Sequence, residues 1–258
     1  MVRLIDTHTH LYDTSFTDDF DAIIARAREC GVSGVILPAI DSACYKQMIE
    51  CADTLQGFAY PATGLHPTSV KENWREELEF VMKTVNQRKF VAVGEIGIDG
   101  YWSKEYLKEQ LSVFQEQIEL AVKIDLPVIV HMRDSTEEIF RVLDSCSHLP
   151  LRGVFHAYSG SFETYRRLRM YGDFMFGIGG VVTYKNSRLS EVVNKMSLDS
   201  IVLETDSPWL TPAPYRGKRN EPSYVKIVAE KVAEIKKISP SEVAEITTLN
   251  AMRMFNLD

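Results

Sequence analysis

Cysteine is scarce and unpatterned in this chain: Cys30, Cys44, Cys51 and Cys146 are the only four, and none falls in Cys-x-x-Cys spacing. That argues against a disulfide framework and predicts reduced, mostly buried thiols. Long apolar runs are missing too, so no segment is expected to cross a bilayer. The first apolar run begins within a few residues of Met1, which leaves no room for a secretory leader, and a cytoplasmic location is the expectation. Positive charge is not in excess: 29 Lys and Arg stand against 36 Asp and Glu, a net charge of -7. Broad, non-specific adhesion to nucleic acid is thereby disfavoured, although a local basic loop or a bound metal can still hold a phosphate. Linkers, low-complexity segments and charge blocks are also absent, so residues 1-258 are read as one domain. No dimerisation segment stands out, no obligate protein partner is visible, and a monomer is the default.

What is present is alternation. Short apolar runs such as Gly34-Val35-Ile36-Leu37, Phe90-Val91-Ala92-Val93, Pro127-Val128-Ile129-Val130 and Ser200-Ile201-Val202-Leu203 read as strands buried on both faces. Between them lie helical stripes, for example Leu107, Leu111, Phe114, Ile118 and Ala121. Two helices close the chain, the second opening with the capping box Ser239-Pro240-Ser241-Glu242. About eight strand-helix units in a chain of 258 residues predict an α/β fold of the (β/α)8 TIM-barrel type, with an open doubly wound sheet as the alternative.

Barrel enzymes build their sites at the C-terminal ends of the strands. His8, His10, His66, Glu95, His131, His156 and Asp206 all follow an apolar run directly, and of the six histidines only His148 lies in an ordinary helix-to-strand loop. His8 and His10 are one residue apart, so in an extended strand both imidazoles face the same way and reach one ion. Any single one of these residues is readily explained as structural. Five histidines with two carboxylates on one rim predict a metal site, because such a cluster would otherwise be a crowd of partly buried polar groups without partners. Imidazole with carboxylate suits zinc, manganese or iron better than calcium, with magnesium also open. Two divalent ions fit the ligand count, and Glu95 is the expected bridge because its strand lies between the two histidine groups. A water shared by the two would be the nucleophile.

Asp6-Thr7-His8-Thr9-His10, Gly64-Leu65-His66-Pro67, Gly94-Glu95-Ile96-Gly97-Ile98-Asp99, His131-Met132-Arg133-Asp134, His156-Ala157-Tyr158-Ser159-Gly160, Glu204-Thr205-Asp206-Ser207-Pro208 and the loop Tyr215 to Pro222 occur in order along nearly the whole chain. In these motifs the chain resembles the TatD family of metal-dependent deoxyribonucleases, amidohydrolase-like TIM barrels. The resemblance implies one ion on His8, His10, Glu95 and Asp206 and a second on Glu95, His131 and His156. It further implies hydrolysis of phosphodiester bonds in DNA from a 3′ end, on a single strand.

Glu95 and Asp206 are the expected catalytic carboxylates, Asp206 also as a proton acceptor for the attacking water. Glu204 faces the same side two residues earlier and is expected to support the ligands from behind. His66 is read as reaching phosphate or as purely structural, and Arg133 as a phosphate contact or a salt bridge to Asp134. Trp209 and Tyr158 could stack a base at the mouth, against a packing role. Arg216, Lys218 and Arg219, three cations within four residues, are read as a phosphate clamp, against a solvated loop paired with Glu221 or surface acids. The rival functions are a small-molecule amidohydrolase or phosphotriesterase and a catalytically silent nucleic-acid-binding or scaffold protein.

Overall fold

The computed structural model describes residues 3–257. Eight strands run along the described residues: β1 (Leu4–Asp6), β2 (Val32–Leu37), β3 (Ala59–Pro61), β4 (Val93–Asp99), β5 (Val128–Arg133), β6 (Leu151–Phe155), β7 (Gly172–Ile178) and β8 (Ile201–Leu203). Every pairing between neighbours is parallel, β1-β2-β3 in one ladder and β4 through β8 in another. Short bridges join the two ladders at both seams. Thr63 bridges Val93 between β3 and β4, and Thr9 bridges Ser207 just past β1 and β8, where Thr7 N also donates to Leu203 O at 2.9 Å. Helices fill the crossovers: α1 (Phe20–Glu29), α2 (Ser42–Thr54), α3 (Trp74–Thr84), α4 (Leu107–Lys123), α5 (Thr136–Ser145), α6 (Phe162–Leu168) and α7 (Leu189–Lys195), followed by α8 (Val225–Lys236) and α9 (Pro240–Phe255). This is the (β/α)8 arrangement that the alternation predicts.

The core has two parts because each strand has two apolar faces. Ile5, Ile36, Ala62, Ala92, Ile129, Val154, Met175 and Val202, one from each strand or its edge, form a cluster with Met254, Phe255 and Leu257. The end of α9 thus plugs the interior opposite the strand C-termini, and burying Phe255 contributes roughly 2–3 kcal/mol. The other strand face packs against the helices through residues such as Leu4, Val35, Phe155 and Phe176. Capping sets where the helices begin: Asp41 accepts from the amides of Ala43 and Cys44 at the start of α2, and Ser239 accepts from Glu242 N at 3.1 Å, the capping box read from sequence.

One detail of the strands differs from expectation. Glu95 and His131 lie inside β4 and β5, whereas the sequence places them just beyond the apolar runs. Two-residue alternation continues through the motifs, so Ile129 in the interior implies His131 on the same side, and Val154 implies His156. Gly97 makes this extension possible: its φ is +137°, and a Cβ there would sit 2.1 Å from His131 O. Among the described residues, no helix is long and apolar enough to cross a membrane.

Candidate metal centre

The strand ends bring the predicted residues together in two sets that meet on Glu95. In the first, His8 Nε2 lies 3.2 Å from His10 Nε2 and 3.2 Å from Glu95 Oε2. His10 Nε2 is 4.0 Å from the same oxygen, and Asp206 Oδ1 is 3.7 Å from each imidazole nitrogen. In the second set, Glu95 Oε1 lies 2.6 Å from His156 Nε2 and 2.8 Å from His131 Nδ1, and those two nitrogens are 3.3 Å apart. Each oxygen of one buried carboxylate therefore addresses a different group of imidazoles.

Hydrogen-bond accounting fixes which nitrogens carry lone pairs. Tyr12 Oη spends its one proton on Pro38 O at 2.6 Å, so the 2.8 Å bond from His10 Nδ1 has the imidazole as donor. His10 Nε2 is then the bare nitrogen. Asp99 Oδ2 accepts from His131 Nε2 at 2.8 Å, which leaves Nδ1 bare in the neutral ring. His66 runs the other way: its Nδ1 accepts from Thr68 N at 3.1 Å, so Nε2 carries the proton and points at Glu95 Oε1, 3.3 Å off.

The fit to metal ions follows from these atoms. A tetrahedral ion with bonds of about 2.0–2.1 Å needs donors about 3.3 Å apart, and the first set spans that separation. Packing bare imidazole nitrogens against each other and against carboxylate oxygens is unfavourable without a cation between them. Behind the donors, His8 Nδ1, His156 Nδ1 and Glu204 Oε2 are buried without partners among the described residues, while His8 and His156 stack with centroids 3.9 Å apart. Glu204 Oε1 accepts from Ala157 N at 2.5 Å and lies 3.7 Å from His156 Nδ1, behind the donors as expected. These buried His and Glu clusters can hold metal ions.

Electrostatics divides the histidines. Burial, and then the neighbouring His8, holds His10 well below its ordinary value, and burial lowers His66. Burial opposes protonation of His156 and His131 as well, but Glu95 and Glu204 together outweigh it at His156, and the bonds to Asp99 and Glu95 outweigh it at His131. Glu95 is held well below the carboxylate range, because His156, His66 and His8 together overcome its burial. Asp206 has fewer such neighbours, and burial pushes it up to about 6. Its φ of +57° is left-handed, a strain of roughly 1–3 kcal/mol, and its amide is fixed on His8 O at 2.9 Å.

A cavity of about 590 Å³ opens above this centre, lined by His10, His66, His131, Arg133, Asp206 and Trp209 among others. The alternatives that the sequence leaves open divide here. Arg133 does not pair with Asp134; its guanidinium lies 3.8 Å over the ring of Tyr101. Tyr158 is buried, donates to Ser161 O at 2.6 Å and packs on Phe176, so it offers no face to a base. Trp209 stays at the mouth, 47% exposed and 5.0 Å from His10. Arg219 donates to Asp19 at 2.7 Å and to Ser15 O, and Glu221 is held by Arg26 at 2.6 Å, so Arg219 is bound to the acid just before α1. Arg216 and Lys218 remain exposed, Arg216 4.1 Å over Tyr184 and Lys218 5.8 Å from the Tyr215 ring.

Three supporting residues escaped the sequence reading. Asp6 accepts from Thr205 N at 2.9 Å and Thr205 Oγ1 at 2.6 Å, tying the end of β1 to that of β8. Asp99 holds His131, and its position four residues after Glu95 on an extended strand was the available signal. Gln117 accepts from Leu65 N at 2.7 Å and donates to Leu65 O at 3.1 Å, holding the segment before His66; a glutamine within the apolar stripe of α4 was its signal.

The family model described as TatD related DNase matches residues 5–256. The chain belongs to the TatD family. Its relatives include an uncharacterised metal-dependent hydrolase, YabD of Bacillus subtilis, 38% identical over 99% of this chain and 100% of that protein. The crystal structure of the TatD homologue YjjV from Escherichia coli superposes with a TM-score of 0.92 at 32% identity, covering 100% of this chain and 99% of the other. A relative from Erwinia tasmaniensis named 3'-5' ssDNA/RNA exonuclease TatD is 29% identical over 98% of this chain and 100% of its own length. This TatD-family chain is a metal-dependent hydrolase.

Proposed function

We propose that this hydrolase cleaves phosphodiester bonds of single-stranded DNA, removing nucleotides from the 3′ end with two divalent ions, zinc, magnesium or manganese. The observation that carries the reading is the double address of Glu95, with one oxygen on the His8 and His10 side and the other on His131 and His156. His8, His10, Glu95 and Asp206 would hold one ion, and Glu95, His131 and His156 the other. When bound, such ions lower the pKa of a water and neutralise phosphate charge. The remaining work belongs to the chain. Asp206 sits beside the first set with a second carboxylate oxygen available to take the proton of the attacking water. His66 directs its one N–H, at Nε2, toward Glu95 and steadies that carboxylate from the wall of the cavity. Arg133 contributes fixed positive charge at the mouth. The name of the Erwinia relative supports nucleic acid as the substrate class.

The test compares linear and circular single strands of the same sequence, using protein stripped by chelation and then resupplied with each metal, alongside small amides and phosphotriesters. Stepwise shortening of the linear strand from its 3′ end, only after metal is restored, is expected. Equal cleavage of the circle would overturn the exonuclease reading, and turnover confined to the small molecules would overturn the nuclease reading altogether.

A further inference from the structure

A second cavity of about 500 Å³, within the range of small-molecule sites, adjoins the one over the metal centre. Thr68, Asp99 and Trp102 line both. Trp102 is 69% exposed, a large apolar face at a position where folding leaves it uncovered. Its neighbour Tyr101 is 54% exposed, meets it edge to face at 5.1 Å, and carries the Arg133 guanidinium on its ring. This platform is rigidly mounted. Asp99 Oδ1 accepts from the amides of Tyr101 and Trp102 at 2.9 and 3.0 Å, and a Cβ on Gly100 would lie 2.3 Å from Asp134 O. The same carboxylate holds His131 through its other oxygen, so the aromatic pair is registered directly to the metal centre.

The second cavity also carries a directed polar group. Gln110 is 4% exposed and its carbonyl is fixed on Asp99 N at 2.9 Å, which sets the orientation of the amide. Its Nε2 makes no hydrogen bond among the described residues, although the side chain lines the cavity. Charges there are mixed, Lys71 with Glu72 and Glu105, so the space does not suit a phosphate. A flat π-face beside an amide donor open to the cavity suits an uncharged heterocycle with an acceptor edge.

We infer that this cavity is a nucleobase subsite: Trp102 stacks the base of the nucleotide adjoining the scissile phosphodiester, and Gln110 donates to the edge of that base. The inference rests on the nuclease reading above and adds a position along the strand. Because every base has a π-face, the subsite orders the strand with little sequence preference.

The experiment measures KM and kcat for wild type, Trp102→Ala and Trp102→Phe on a linear single-stranded oligodeoxynucleotide, and on copies in which one abasic residue is walked through the final positions of the 3′ end. Trp102 is exposed, so the variants retain the fold, which circular dichroism checks. In wild type, one abasic position is expected to raise KM about ten-fold with little change in kcat. Trp102→Ala is expected to raise KM about ten-fold on the intact strand and to be indifferent to that abasic position, with Trp102→Phe restoring most of the loss. Trp102→Ala with wild-type KM, or with the same loss on every abasic strand, would overturn the subsite while the nuclease reading stands. Wild-type protein that degrades no oligonucleotide after metal is restored would overturn both.

Discussion

Two regions rich in chemistry lie at the same end of the barrel and behave in opposite ways. At the strand ends, His8, His10, Glu95, His131, His156 and Asp206 turn their functional atoms toward one another and leave lone pairs unused. In the loop from Tyr215 to Pro222, which follows the same strand as Asp206, half of the polar groups are already consumed. Asn220 donates to Thr205 O and Trp209 O at 2.8 and 2.6 Å, Arg219 is bound to Asp19, and Glu221 to Arg26. Only Arg216 and Lys218 of that loop's cations face solvent, and neither lines the cavity above the metal centre. Barrel walls aim side chains without requiring them to pair, because the backbone is held by its ladders. A loop has no such frame, so its own side chains are spent on holding it down.

The largest way to break the contrast is to misaim one wall-mounted imidazole. Asp99→Asn would set an amide donor against the His131 Nε2–H, turning the ring or its tautomer, and metal affinity should fall about ten- to a hundred-fold with the fold intact. Calorimetric titration of the stripped protein checks this, and unchanged affinity would remove Asp99 from the account. A smaller effect is expected at the loop's anchor. Glu221→Gln should lower the melting temperature by about 3 °C near neutral pH, since Arg26 is partly solvated and the pair is worth about 1 kcal/mol. Burial alone would raise the Glu221 carboxyl, but Arg26, with Ser223 and Arg219, outweighs it and holds it below its ordinary 4.5. Its stabilisation is therefore present above about pH 4.5 and is lost as pH falls through the depressed value. Melting curves from pH 7 downward should show the gap between wild type and variant closing only below about 4.5; a gap unchanged into stronger acid would contradict the pairing. The smallest effect belongs to the two exposed cations. Neutralising Arg216 and Lys218 together should leave melting and metal content alone and flatten the salt dependence of DNA binding by about one to two counterions. An unchanged slope would make them ordinary solvated surface.

The same contrast explains what could be read from sequence. The barrel and the rim residues were legible because alternation by two and a motif at each strand end suffice to place a side chain. Asp99 obeys the same alternation two steps past Glu95, but no histidine beside it in sequence marks its role. Arg219 and Asp19, 200 positions apart, follow no period, and nothing local announces their bond. Arg133 is a similar case: Asp134 beside it in sequence suggested a salt bridge, but a left-handed residue at 134, φ +49°, turns the chain, and the guanidinium finds the Tyr101 ring instead. For Tyr158 the sequence leaves base stacking and packing both open, and its ring turns into the apolar layer under β7, the packing alternative.

On the proposed function, Glu95 joins two ion-holding sets. Metal content measured by mass spectrometry on wild type and Glu95→Gln, after dialysis against a single divalent metal, tests it most directly, with circular dichroism confirming the barrel. Two ions per chain in wild type, and loss of both with most of the turnover in the variant, is the predicted result. Two tightly held ions and near-normal turnover in Glu95→Gln would contradict it.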